Sequence, residues 1–423
     1  MELGNTMEYS RETYVRKLLE SIGSGQIKIV TGIRRCGKSY LLGTLFKRQL
    51  LEGGVRPDHV IEIDLDGFRN RPLRDPNAFL DYVDSRVRDG EKHFLLVDEV
   101  QMLDSFSDVL NDLTRSCSLD VYVTGSNARL LSRDVATEFR GRGEEIPMRP
   151  LSFSEFMEQY EGDVRNGYAE YVTYGGLPPV TLREGDERKA AYLKSVLDET
   201  YIRDLVERYG IRNEGDLGDL VDVLSSNIGT LTNPTKIANT FKSEKHSTLS
   251  PRTVEQYIRH LEESFLFEKA VRYDVKGRRY IGANAKYYAI DLGLRNARLS
   301  FRQLEETHML ENVVYNELRG RGYTVDVGVV TSYRRNGAGK TERVNYEVDF
   351  VCNQGSQRYY IQSAFAPPTP EKVKQEEASL VRIDDSFKKV IVTKDGLAPH
   401  YNEEGILMMN VFDFLLNPAS LQL

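Results

Sequence analysis

Gly32-Ile33-Arg34-Arg35-Cys36-Gly37-Lys38-Ser39 follows the β-branched run IKIVT (27–31) and leads into SYLLGTLFKRQLLEGG (39–54), so strand, glycine-rich loop and helix succeed one another without a gap. The stretch satisfies GxxxxGK[ST] in the structural setting that gives the pattern its meaning. Its glycines let the loop curl until backbone N–H groups point inward, and the first turn of the helix adds partial positive charge, so the loop forms a pocket for phosphate. Lys38 is placed to meet β- and γ-phosphates and the Ser39 hydroxyl to bind magnesium. ATP with Mg2+ is therefore the expected ligand, contacted by Gly32, Arg34, Arg35, Cys36, Gly37, Lys38, Ser39 and Tyr40.

Strands and helices keep alternating on the C-terminal side of this loop. HVIEIDLDG (59–67), HFLLVDEV (93–100) and VYVTGSN (121–127) read as strands, with helical stretches near 77–87 and 106–116 between them. Nearly continuous apolar strands separated by helices imply a parallel sheet covered on both faces, hence an α/β domain. Asp98 and Glu99 end one apolar strand: Asp98 is expected to hold magnesium together with Ser39, and Glu99 to polarise the attacking water as general base. At the end of the next, Asn127 or Ser126 would orient that water or sense the γ-phosphate. Arg140 and Arg142 in FRGR are candidates to neutralise charge in a neighbouring subunit's site, a role that requires a homo-oligomer.

The 423 residues exceed one ordinary core, and 40% apolar content excludes a disordered chain. Cys36, Cys117 and Cys352 lie far apart, the six histidines are scattered, His246, His260 and His308 show no metal-ligand spacing, and no apolar run of membrane-spanning length occurs. These features fit a cytoplasmic protein without a disulfide framework or a zinc site, neither exported nor membrane-spanning. Four regions are expected: an ATPase domain over 1–165, a helical linker region over 166–232, a winged-helix-like domain over 233–305 and a further α/β domain over 306–423. Ser250 before Pro251 caps the helix with apolar face Val254, Tyr257, Ile258 and Leu261, and two strand-like runs flank the basic turn at Lys276, Arg278 and Arg279. Tyrosines in RRYIGANAKYYAID (278–291) read as core packing.

GIRRCGKSYLL, VDEVQ, TGSNARLL, FRGR, PLSFSEF, YGGLP and YIRDLVERYGIRN occur in this order. With them the chain resembles a widespread bacterial and archaeal family of AAA-type ATPases that carry a C-terminal region with a winged helix and a nuclease-like fold. The resemblance implies that Lys38, Ser39, Asp98, Glu99 and Asn127 are the loop lysine, the two magnesium ligands, the catalytic carboxylate and the sensor, with Arg140 and Arg142 as arginine fingers. It also implies a restriction-endonuclease type of fold at the C-terminus, whose active form needs a helix Glu, a strand Asp and a following Glu/Asp-x-Lys. Here Glu311 or Glu317 and Asp349 are present, but Gln362-Ser363-Ala364 supplies neither the second carboxylate nor the lysine. The fold is expected without nuclease activity.

The net charge of −7 argues against a globally basic nucleic-acid binder, yet from Lys236 to Arg295 twelve Lys or Arg stand against seven Asp or Glu. DNA contacted through Lys276, Arg278 and Arg279 is the leading expectation for the partner of ATP hydrolysis. A nucleotide-dependent switch that recruits a protein is the alternative, and a protein remodeller is less supported because no pore-loop aromatic stands out.

Overall fold

Apolar β-branched segments decide the first sheet. β1 (Ile27–Thr31), β2 (Val60–Asp64), β3 (His93–Asp98), β4 (Leu119–Gly125) and β5 (Gly143–Pro147) pair in the order β2-β3-β4-β1-β5, every pair parallel. The computed structural model describes residues 8–87, 89–115, 118–125, 139, 141–245, 249–335, 341–365, 370–396 and 398–423, and these make up two compact units. β1 and β4 are buried along their whole length, as expected for central strands with helices on both faces. Ile29, Ile61, Ile63, Leu95, Val97, Val121 and Val123 pack with Phe79 and Leu110 from the covering helices.

The first unit comprises the chain through Pro150, with Leu177–Leu182 and Glu263–Phe265. Its main segment ends at Pro150 for a local reason. Ser152 caps the helix Phe153–Met157 in a capping box with Glu155, and Phe153 then meets Tyr168 and Tyr171 of the helix Val164–Tyr174 edge-on, with Phe156 tilted against Tyr171, within the second unit.

That second unit begins with helices, among them Asp186–Ser195, Arg203–Tyr209 and Glu214–Ser226, followed by Pro234–Lys245 and Pro251–Glu263. Its described strands are β6 (Leu231–Thr232), β7 (Phe267–Asp274), β8 (Arg279–Ala289), β9 (Thr324–Arg335), β10 (Thr341–Gln354), β11 (Gln357–Ala364), β12 (Lys388–Thr393), β13 (His400–Tyr401) and β14 (Leu407–Asn410). They form one mixed nine-stranded sheet in the order β13-β14-β12-β11-β10-β9-β7-β8-β6. The boundary expected between 305 and 306 does not divide this sheet, because Arg272–Asp274 of β7 pair in parallel with Val327–Val329 of β9. The hairpin read as a wing is thus continuous with the strands read as a separate domain.

Asp291 organises the helical side of the unit. Its carboxylate accepts the N–H groups of Gly176 and Leu294, both at 2.9 Å, capping the helix Leu292–Arg298 and fixing the YGG turn. Burial, the dominant cause, pushes this carboxyl up to about 6 despite those bonds. The folded chain therefore holds a proton that the unfolded chain releases, and stability falls as pH rises through the window from the ordinary value of 3.8 to about 6. Asp291→Asn is expected to remove this slope: its unfolding free energy relative to wild type should rise across the window by up to about 3 kcal/mol. Urea denaturation at pH 4 and pH 6.5 checks it, and parallel pH profiles for the two proteins would refute it.

Candidate nucleotide site

β1 delivers the chain to Gly32 at the edge of the sheet where the parallel strands end. Gly32 has φ +143°, and a Cβ there would lie 2.0 Å from the Met148 carbonyl oxygen, so only glycine fits. Met148 in turn donates its N–H to Thr31 at 2.7 Å, and the buried Cys36 thiol lies 3.8 Å from the same Met148 carbonyl. Clamped on this side, the loop turns again at Gly37 (φ +103°), and the helical stretch starts at Lys38.

The Lys38 side chain folds back into the loop, only 5% of the residue being exposed. Its ammonium donates to the carbonyls of Gly32 at 2.9 Å and Ile33 at 3.0 Å. A buried cation held by neutral carbonyls, at the start of a helix and within a loop too tight for a Cβ, is a donor set that fits phosphate. Arg34 is half-buried, whereas Arg35 and Tyr40 are exposed; the Tyr40 hydroxyl donates to Glu8 at 3.0 Å.

Parallel register carries the second half of the site. Val97 of β3 lies beside Val123 of β4, so Asp98 and Thr124 emerge side by side at the carboxyl ends of their strands. The Thr124 hydroxyl donates to Asp98, and the Ser39 hydroxyl also bonds this carboxylate. Ser39 and Asp98, the two expected magnesium ligands, are thus together. Burial foremost, with the like charges of Glu99 and Asp64, raises the Asp98 carboxyl above the ordinary range, and the two hydroxyls oppose that shift. A hydroxyl and a carboxylate facing further acidic groups fit a hard divalent cation.

Glu99 adopts a left-handed backbone (φ +53°), a costly conformation for a non-glycine residue and one that clusters at functional sites. Its N–H donates to the Thr124 hydroxyl at 3.0 Å, and its carboxylate accepts from the Gln101 amide. Thr124 therefore fixes both acidic residues, a role that the sequence reading did not assign. Its signal was the alignment of two strand ends rather than a motif. On the other side of β1, Thr31 donates to Glu145 at 2.7 Å. Arg142 is exposed at the amino end of β5, its carbonyl accepting from Ile27 at 2.8 Å, at the end of β1 away from the loop. Asn127 and Arg140 lie outside the described residues.

Within the second unit, Lys276, Arg278 and Arg279 are exposed on the β7–β8 turn. Tyr280 beside them is 64% exposed and bonds Asp326 at 3.3 Å, which corrects its reading as core; Tyr287 and Tyr288, deeper in β8, are buried as expected. Of the two glutamates considered with Asp349, the structure selects Glu311. Glu317 pairs instead with Arg321 at 2.8 Å. Asp349 accepts the N–H and hydroxyl of Ser363, both at 2.8 Å, and the Gln362 side chain accepts the Asp349 N–H. Ala364 brings no amine, but Lys286 of β8 does: its buried ammonium bonds Glu311 at 2.9 Å and Glu347 at 2.8 Å. Tyr288 donates to Glu311 at 2.6 Å as well. Burial and the neighbouring Asp349 push Glu311 up to about 7, while the surrounding carboxylates keep Lys286 firmly charged.

A family model described as "AAA domain" matches residues 24–157, and a "Domain of unknown function (DUF8612)" matches residues 165–305. An "Uncharacterized protein" of Haemophilus influenzae is 33% identical over 416 residues, covering 96% of this chain and 98% of that protein. A relative in Methanocaldococcus jannaschii, also "Uncharacterized protein", is 28% identical over 413 residues, covering 92% and 85%. Among solved structures, the Aeropyrum pernix ORC1 protein in complex with DNA shows 16% identity and a TM-score of 0.28 over 70% of this chain and 95% of that one. Domain III of the Thermotoga maritima replication initiation protein DnaA gives 15% and 0.27, over 46% of this chain and 86% of that one. Likenesses of this size carry no argument. Among the described residues, no helix is long and apolar enough to cross a membrane.

Two outcomes test these arrangements. Thr124→Val leaves the Asp98 carboxylate and the Glu99 N–H short of a partner, and is expected to cut kcat for ATP about 10- to 100-fold with a smaller change in KM, recovered by Thr124→Ser. Equal losses in kcat and kcat/KM for the serine and valine variants would deny the hydroxyl this positioning role. Lys286→Met strands Glu311 and is expected to cost about 3 to 5 kcal/mol in chemical unfolding, with part recovered when Glu311→Leu is added. A neutral single substitution would mean that the ion pair does not support the sheet.

Proposed function

Because the chain belongs to the same family as the full-length Haemophilus influenzae relative, an AAA domain followed by a domain of unknown function, we propose that it is a magnesium-dependent ATPase. It works as a homo-oligomer, and its second unit couples ATP turnover to the binding or remodelling of DNA. The observation that carries the ATPase reading is the buried Lys38 ammonium inside the glycine-clamped loop, beside the Ser39, Asp98 and Thr124 set.

Lys38 and the loop N–H groups bind the β- and γ-phosphates, and Ser39 and Asp98 hold the ion. When bound, Mg2+ supplies charge neutralisation across the phosphate oxygens. Glu99, set at the strand tip by its left-handed backbone and the Thr124 bond, accepts a proton from the attacking water at its carboxylate. Asn127 orients that water, and Arg140 or Arg142 of a neighbouring subunit offsets the developing charge. Support for the DNA reading comes from the exposed Lys276, Arg278 and Arg279 beside Tyr280, and from exposed Tyr333, Arg334 and Arg335 on β9: cations for phosphates next to aromatic faces for bases. Nuclease chemistry is not part of the proposal, since Gln362 and Ala364 stand where a carboxylate and a lysine would be needed.

ATP hydrolysis by the purified full chain, with and without single-stranded, duplex and branched DNA, tests the whole reading. Mg2+-dependent turnover stimulated by DNA is expected. Lys38→Ala should abolish it, and Glu99→Gln should lower it about 10²- to 10⁴-fold while nucleotide still binds. Changing Lys276, Arg278 and Arg279 together to Glu should remove the stimulation and keep basal turnover, and supercoiled plasmid should stay intact throughout. Turnover indifferent to DNA would replace this coupling with a nucleotide-dependent switch that recruits a protein. No turnover at all would end the ATPase reading.

A further inference from the structure

At the amino ends of β2 and β3, away from the phosphate loop, two histidines 34 positions apart in the sequence are brought side by side. Val60 pairs with Phe94 in the parallel ladder, so the preceding residues, His59 and His93, are cross-strand neighbours. Their rings stack with centroids 4.3 Å apart and planes 29° from parallel, and both are buried. Asp89, on the loop leading into β3, completes the group: its carboxylate lies 2.9 Å from His59 Nε2 and 3.9 Å from His93 Nε2. One ligand atom from each of the three residues falls within 4.8 Å of the other two.

Backbone contacts turn His93 and Asp89 toward one place. His93 Nδ1 lies 2.9 Å from the Glu91 carbonyl, which can only accept, so a proton sits on Nδ1 and Nε2 is the atom that faces Asp89. This backbone contact is the kind that orients a metal-ligating imidazole. The Glu91 N–H donates to Asp89 at 3.1 Å and turns the carboxylate the same way. Arg56 Nη2 contacts both the Asp89 carboxylate, at 2.5 Å, and His59 Nε2. Arg56 thus sets one positive charge against the group. The Arg56 side chain is 56% exposed and can withdraw into solvent; Asp89, 38% exposed, leaves the cluster open on the same side.

We infer that His59, Asp89 and His93 form a site for a divalent transition-metal ion of the zinc class, with Arg56 as the cation that exchanges with it. Two imidazole nitrogens and one carboxylate oxygen suit zinc rather than calcium or magnesium, and the open side leaves a fourth position to water. Tetrahedral zinc places its ligand atoms about 3.3 Å apart, a spacing that the observed separations bracket. The ion would tie β2, β3 and the loop before β3 into one edge. Separated from Ser39 and Asp98 by the length of β3, about 15 Å, it is independent of the magnesium proposed there.

Untagged, metal-free full-length protein titrated with Zn2+ by calorimetry, and with Co2+ by visible absorption, tests the site. The expected result is one ion per chain, a higher melting temperature and the absorption of tetrahedral cobalt. Asp89→Asn and His59→Gln should each weaken binding at least tenfold, with folding confirmed by circular dichroism, whereas Arg56→Ala should bind as tightly as wild type or more so. If neither wild type nor Arg56→Ala takes up one equivalent, the cluster is only an Arg-Asp-His network and the inference fails. It fails equally if Asp89→Asn and His59→Gln bind as wild type does, which would place the ion elsewhere.

Discussion

Parallel pairing of β1, β3 and β4 is the constraint on which the nucleotide site depends. Parallel strands all finish at one edge, so Thr31, Asp98 and Thr124 arrive there from distant parts of the chain. The same geometry puts the start of the helical stretch at that edge, and with it the Lys38 ammonium and the Ser39 hydroxyl. Removing bulk at Gly32 lets the loop close against Met148, and closing the loop buries Lys38. Each feature presupposes the register of the sheet beneath it.

The loop and the Asp98-Glu99 pair were legible because each is a contiguous motif whose setting, between strand and helix or at the tip of an apolar strand, can be read from local pattern. Thr124 was not legible, since its importance lies in which strand it neighbours. The same holds for His59 and His93, whose adjacency comes from β2–β3 pairing, and for Lys286, which reaches Glu311 from a strand assigned to a different region. Local periodicity recognised the β7–β8 hairpin but could not show that β7 also pairs with β9, because partner choice in a sheet is a non-local property. Tyr280 illustrates a smaller failure: alternation along β8 suggested burial throughout, whereas the strand's first residues lie at its exposed end beside the β7–β8 turn.

The acidic groups around Asp98 and around Glu311 are held differently. In the first, Asp98 is kept by hydroxyl donors in a carboxylate-rich setting, an arrangement poised for a cation. In the second, the acidic group around Glu311 and Asp349 has an internal cation in Lys286, and Asp349 spends its oxygen on Ser363. A buried ion pair of this sort contributes less to net stability than its contacts suggest, yet it is expensive to break singly.

Calorimetric titration of ATP, ADP and adenosine into the full chain with Mg2+ bears most directly on the central claim that the Gly32–Ser39 loop is a phosphate site. ATP and ADP are predicted to bind once per chain, with adenosine weaker by about a hundredfold or more because the loop N–H groups and Lys38 recognise the phosphates rather than the base. Equal affinity for adenosine, or binding unchanged by Lys38→Ala, would contradict the account.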